Sequence, residues 1–132
     1  MIKEIIIISV VVISILVCNF AYQSYITKSS DSLVDKLGTL GEKIKADTDN
    51  IKDNKEISNL LNNVENEWEN SKKIWSIFVM HNELDQIEIA FTNIKTSIDI
   101  DYRQYAAVET EKAKFLLEHI AERDSFKLKN LF

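Results

Sequence analysis

The sequence predicts an all-α protein in which a single N-terminal transmembrane helix carries a small antiparallel helical bundle of about four helices. Three observations lead there. The 132 residues include no proline and only two glycines, Gly38 and Gly41, which leaves few places where strands could reverse direction. Residues 5–26 carry no charge. Beyond residue 30, apolar side chains recur at helical spacing in stripes separated by short polar stretches. The length allows one small domain besides the first segment.

Residues 1–4 form a short tail in which Lys3 and Glu4 cancel. As a helix, residues 5–26 would measure roughly 33 Å, about the thickness of a bilayer core. Phe20, Tyr22 and Tyr25 cluster at one end, as expected where a helix leaves hydrocarbon for the headgroup layer, so the exit is placed at residues 22–26. Two other fates compete with a retained anchor. A cleaved signal peptide needs a small-x-small pattern, which residues 17–21 lack. A lipoprotein would be modified at Cys18, but Val17 stands where a small residue is required. A retained, single-pass anchor in the cell membrane is therefore expected. Lys3 and the α-amino group oppose Lys28 and Lys36 across it, and the very short N-terminus favours an extracytoplasmic C-terminal domain.

That domain, residues 27–132, carries the whole net charge of −5. Such a surface repels nucleic acid and anionic headgroups. Cys18 is the lone cysteine, so no intramolecular disulfide can form.

The first bundle helix is expected over residues 32–46, where Leu33, Leu37, Leu40 and Ile44 share a face. The two glycines weaken it or let another helix approach closely. Asp53 followed by Glu56 reads as a capping box opening a second helix over residues 55–79. Ile57, Leu61, Val64, Trp68 and Trp75 make one stripe. Ile77, Met80, Leu84, Ile87, Phe91, Ile94 and Ile98 make another, turned by roughly 150°. One straight helix cannot bury both, so a break is expected near residues 79–83. Asn82 would cap a third helix over residues 83–99, with Asp85 at its third position near the positive end of the dipole. A fourth, over residues 102–123, has Tyr102, Ala106, Ala113, Leu116, Leu117 and Ile120 on one face. Short connections imply antiparallel neighbours, as an up-down bundle or two stacked α-hairpins.

No glycine-rich phosphate loop, Cys-x-x-Cys or His-Glu-x-x-His occurs, and Cys18 is too far from either histidine for a dyad, so no enzyme is expected. The best chemical reading left is a metal site at His81 and Asp85, one turn apart, with Glu88 three residues on. Capping and dipole effects explain the same residues, and no metal or cofactor is assigned. His119 does not complete the site, because the phases put it and His81 on opposite flanks of the helix pair. Trp68 and Trp75 read as core anchors whose indole N–H groups need partners. The apolar tail, residues 126–132, includes Leu131 and Phe132 as structural residues and either docks on its own bundle or meets a partner.

Taken in order, Trp68, Trp75, the His81-Asn82-Glu83-Leu84-Asp85 run, Glu118-His119-Ile120 and the terminal Asn130-Leu131-Phe132 resemble a small bacterial family catalogued as domain of unknown function 4363. Leu131 stands where that family commonly has isoleucine. The resemblance implies membrane-anchored proteins of spore-forming Gram-positive bacteria without an established activity. The expected role is a non-enzymatic interaction or accessory subunit, associated with sporulation or the envelope, whose partners are the membrane and another membrane protein, with the oligomeric state open. The alternative is a small extracytoplasmic ligand- or metal-sensing domain using His81, Asp85 and Glu88.

Overall fold

The computed structural model describes the backbone of residues 1–131 and the side chains of residues 1–124. Within these there are four α-helices and no strand: α1 (Ile2–Ala46), α2 (Lys55–Trp75), α3 (His81–Asp99) and α4 (Arg103–Leu131). The expected tail contacts of Leu131 and Phe132 lie outside the described residues.

The segment expected to be the anchor and the first bundle helix are one element. α1 runs unbroken for 45 residues, roughly 68 Å. This corrects the expected division into segments at residues 5–26 and 32–46. Residues 27–31, although polar, include no glycine or proline, so nothing stops the backbone ladder. The two parts differ in surroundings. Residues 2–17 are exposed throughout, whereas Ile26, Leu33, Leu37, Leu40 and Ile44 have no solvent exposure. The exposed part is long and apolar enough to cross a membrane. Ile26 belongs to the bundle core and Tyr22 packs against it, so protein packing begins within the charge-free stretch.

The helices alternate in direction. Lys43 pairs with Glu56, and Lys36 with Glu67, along an antiparallel α1–α2 pair. Glu65 with Lys95 and Glu88 with Lys72 set the same sense for α2 and α3. On α3 and α4, Asn93 meets Glu109 and Glu83 meets Arg123. The Ser30 hydroxyl of α1 donates to the Leu117 carbonyl of α4 at 3.1 Å. α4 packs along both α1 and α3, and α2 packs along α1. Gly41 lies where α1 and α4 cross, and a Cβ there would lie 3.4 Å from the Thr110 Cγ2 methyl, the close approach that small residues permit. α2 and α3 are held further apart by large side chains, with Trp68 meeting Phe91 edge-on at 5.9 Å.

At the end remote from the anchor, α1 stops at Asp47, and a 3₁₀ turn, Ile51–Asp53, leads into α2. Asn54, not Asp53, caps α2: its side chain accepts from the amides of Glu56 and Ile57 at 2.9 and 3.1 Å. α3 ends in a Schellman motif, in which the Tyr102 amide donates to Ser97 O and the Asp101 amide to Ile98 O. Asp101 takes the left-handed position, φ 57°, where glycine is usual. Its carboxylate accepts the Ile51 amide at 2.8 Å, so the residue that bears the unfavourable φ also ties two connections together.

The start of α3 corrects two expectations. Met80 occupies the N-cap and offers no side-chain hydrogen bond. Asn82 is therefore already helical, and Asp85 sits one turn beyond the amides it was expected to face. The turn closes through backbone bonds instead: the Phe78 and Val79 amides donate to Trp75 O, and the Glu83 and Leu84 amides to Met80 O. Replacing Asn54 by alanine should therefore cost about 0.5 to 2 kcal/mol, whereas Asn82→Ala should stay within about 0.5 kcal/mol of the parent. Denaturant titration of the two variants side by side measures the difference.

Candidate functional site

The end of the bundle nearest the anchor brings together most of the residues singled out from sequence. Trp68 and Trp75 project into the core from α2, 2 % and 0 % exposed, with ring centroids 5.6 Å apart in an edge-on arrangement. Neither is available as an open aromatic box. The Trp75 indole donates to Ser29 Oγ on α1 at 2.8 Å, and the Ser29 hydroxyl in turn donates to Ile26 O at 3.1 Å. The Trp68 indole N–H is buried and has no partner among the described residues, which makes Trp75 the better-satisfied anchor.

Beyond Trp75 the chain turns through residues 76–80. The expected stripe placed Ile77 and Met80 in the core, but they are 61 % and 60 % exposed and Val79 is buried in their stead. α2 has already ended, so helical phase no longer governs where these side chains point. Phe78, also 61 % exposed, leans on Tyr22 of α1, ring centroids 4.5 Å apart, while the Tyr22 hydroxyl donates to Trp75 O at 3.5 Å.

His81, Asp85 and Glu88 do share one side of α3, lining a shallow open recess with Glu69, Lys72 and Lys73 of α2. Glu88 is engaged in an ion pair with Lys72. That hydrogen bond raises the Lys72 pKa, keeping an ammonium in the recess where a divalent cation would have to sit. Among the described residues no three His, Cys, Asp or Glu side chains converge to hold a metal ion. His119 lies on α4, exposed and stacked on Phe115 at 5.6 Å. Behind the recess, Arg123 clasps Glu83 through both nitrogens and also reaches Asp124 at 3.5 Å. The Glu83 hydrogen bond pushes the Arg123 pKa further up, so the guanidinium of this clamp between α3 and α4 stays charged at every physiological pH.

A second surface escaped the sequence reading. Tyr105, Val108 and Phe115 on α4 are 43 %, 61 % and 63 % exposed. Their spacing of three and seven puts them on one side of the helix together with His119. Tyr102 extends the stripe by stacking on Tyr105 at 5.9 Å. The spacing was visible, but the stripe of Ala106, Ala113, Leu117 and Ile120 buried on the other side gives the stronger pattern and accounts for the helix alone.

Fold and surfaces together define a helical bundle built onto one apolar N-terminal helix, with an exposed apolar stripe along α4. The family model named "Domain of unknown function (DUF4363)" matches residues 20–131, and the chain belongs to that family. The match starts at Phe20, close to where α1 begins to pack against the bundle. No curated protein and no solved structure matches the chain.

Proposed function

We propose that this protein is a non-enzymatic accessory subunit of a bacterial membrane assembly. α1 holds the acidic bundle at the extracytoplasmic face of the cell membrane, where α4 docks a second membrane protein. The observation that carries this reading is the α4 stripe of Tyr105, Val108 and Phe115, three large side chains left in water along one helix face. Large apolar side chains exposed along one helix face, here with Lys112 between Val108 and Phe115, are a recurrent mark of protein contacts, and tyrosine and phenylalanine are enriched at their centres. Glu118 and Glu122 are exposed along one edge of the stripe. The partner that fits is an apolar helix flanked by basic residues, anchored in the same membrane so that tethering raises its effective concentration.

A photo-crosslinking residue at Val108, introduced into the full chain in its native membranes, tests the proposal. One membrane protein should be captured in discrete yield, and Phe115→Glu should abolish the adduct without lowering the melting temperature. Loss of Phe115→Glu discrimination, or no adduct at Val108, would remove the stripe as a docking face. A melting-temperature rise with zinc, manganese or calcium that vanishes in His81→Gln would favour the sensing alternative instead, because a ligand specific for the native state stabilises it by mass action.

A further inference from the structure

We infer that the turn between α2 and α3 is a second membrane contact: Ile77, Phe78 and Met80 insert into the headgroup–acyl boundary of the same bilayer that α1 crosses. The inference rests on the anchor reading and adds to it a bundle that is seated on the membrane rather than tethered above it. Its first support is position. Phe78 packs against Tyr22 with the rings tilted by 59° and 4.5 Å between centroids, and Tyr22 lies within the charge-free residues 5–26. The turn is thereby level with the last part of the span, where aromatic side chains collect at a membrane interface. The second is exposure. Ile77, Phe78 and Met80 are each about three-fifths exposed while Val79 between them is buried, so the turn presents three large apolar side chains outward beside the anchor.

The third support is the backbone. Entry into an apolar layer is prohibitive for unpaired amides. Here the amides of Ile77, Phe78 and Val79 donate to Ile74 O and Trp75 O at 3.0 to 3.3 Å, and the Ser76 hydroxyl donates to Lys73 O at 2.8 Å. Three amides of the tip, those of Ile77, Phe78 and Val79, are thus already paired within the chain. Lys28 on α1 and Lys73 on α2 are exposed a short way behind it, neither in an ion pair among the described residues, at the level where lysines extend towards phosphates. The far end of the bundle, by contrast, turns through Asp99 and Asp101, which no apolar layer would accept. The position of the turn beside the last part of the span, through Tyr22, makes lipid the occupant that fits.

The test uses the full chain, with Cys18→Ser, in nanodiscs of phosphatidylcholine and phosphatidylglycerol. Single cysteines at Ile77, Phe78 or Met80 carry a nitroxide whose collisions with oxygen and with an aqueous nickel chelate are compared. Val11→Cys reports the span and Ile100→Cys the remote end. All three turn positions should show an oxygen-to-nickel ratio several-fold above that of Ile100→Cys, approaching Val11→Cys. A water-like ratio at the turn with a lipid-like ratio at Val11→Cys overturns the seating and leaves the anchor intact. A water-like ratio at Val11→Cys overturns both. Protection from both reagents, with dipolar broadening between labels, would show a second copy of the chain on the turn and likewise overturn the lipid contact.

Discussion

Trp75→Ala should destabilise the bundle by about 3 to 5 kcal/mol, the range for truncating a buried aromatic to alanine. The ring has no solvent exposure and meets Trp68 edge-on, so its removal leaves a cavity where α1 and α2 converge. It also strips Ser29 Oγ of its donor in a buried position. That hydrogen bond joins α2 to the part of α1 where the bundle begins, and the loss should spread to the seating of Tyr22 and Phe78. Trp75→Phe narrows the comparison: it keeps the six-membered ring and removes the N–H together with the pyrrole part of the indole, so its cost should be smaller, about 1 to 3 kcal/mol. A cost under about 1 kcal/mol for the alanine variant, measured by denaturant titration, would contradict the core role.

The second large effect concerns where the chain can be cut. A protein beginning at Ala21 keeps Tyr22 and Ile26. One beginning at Ser29 loses both, although its four amphipathic stripes from residue 33 onward are complete in sequence. Ile26 is fully buried and Ser29 accepts from Trp75, so the shorter protein would leave the top of the core open to water. It should be less stable by about 2 to 5 kcal/mol, as when a large aliphatic side chain is removed from a core. Thermal melting of the two forms in detergent-free buffer measures this directly. Equal melting temperatures would show that packing starts only after residue 29.

That prediction also marks where the sequence was ambiguous. Composition registers Tyr22 and Ile26 as apolar or amphipathic residues in an uncharged run, and burial against lipid and burial against protein have the same signature. The two environments separate only once Trp75 and Phe78, more than fifty residues away, are seen to meet α1. The four-helix plan was legible because Leu33, Leu37, Leu40 and Ile44, and likewise Leu84, Ile87, Phe91 and Ile94, keep helical phase and are buried as that phase requires. A change of direction between the two stripes was legible from the same phases, although it was expected near residues 79–83 and α2 already ends at Trp75.

Its details were not. Periodicity assigned Ile77 and Met80 to the core because it has no means of knowing that the helix has ended. Asn82 invited a capping role by residue type, while the actual start at His81 relies on backbone geometry behind Met80. The Schellman turn at Asp101 was hidden for the opposite reason: the residue is not glycine, and its compensation comes from Ile51 in another connection. At the candidate metal site, helical spacing correctly put His81, Asp85 and Glu88 on one side of α3. It could not reveal that Lys72 of α2 occupies Glu88.

We propose that α1, one continuous helix, serves as both membrane span and part of the bundle core. Alkaline carbonate extraction of native membranes, followed by mass determination of the chain in pellet and supernatant, tests it most directly. A full-length chain, its first residues included, should stay in the pellet. Recovery in the supernatant, or of a shorter chain lacking the residues before about position 21, where a cleaved leader would end, would contradict it.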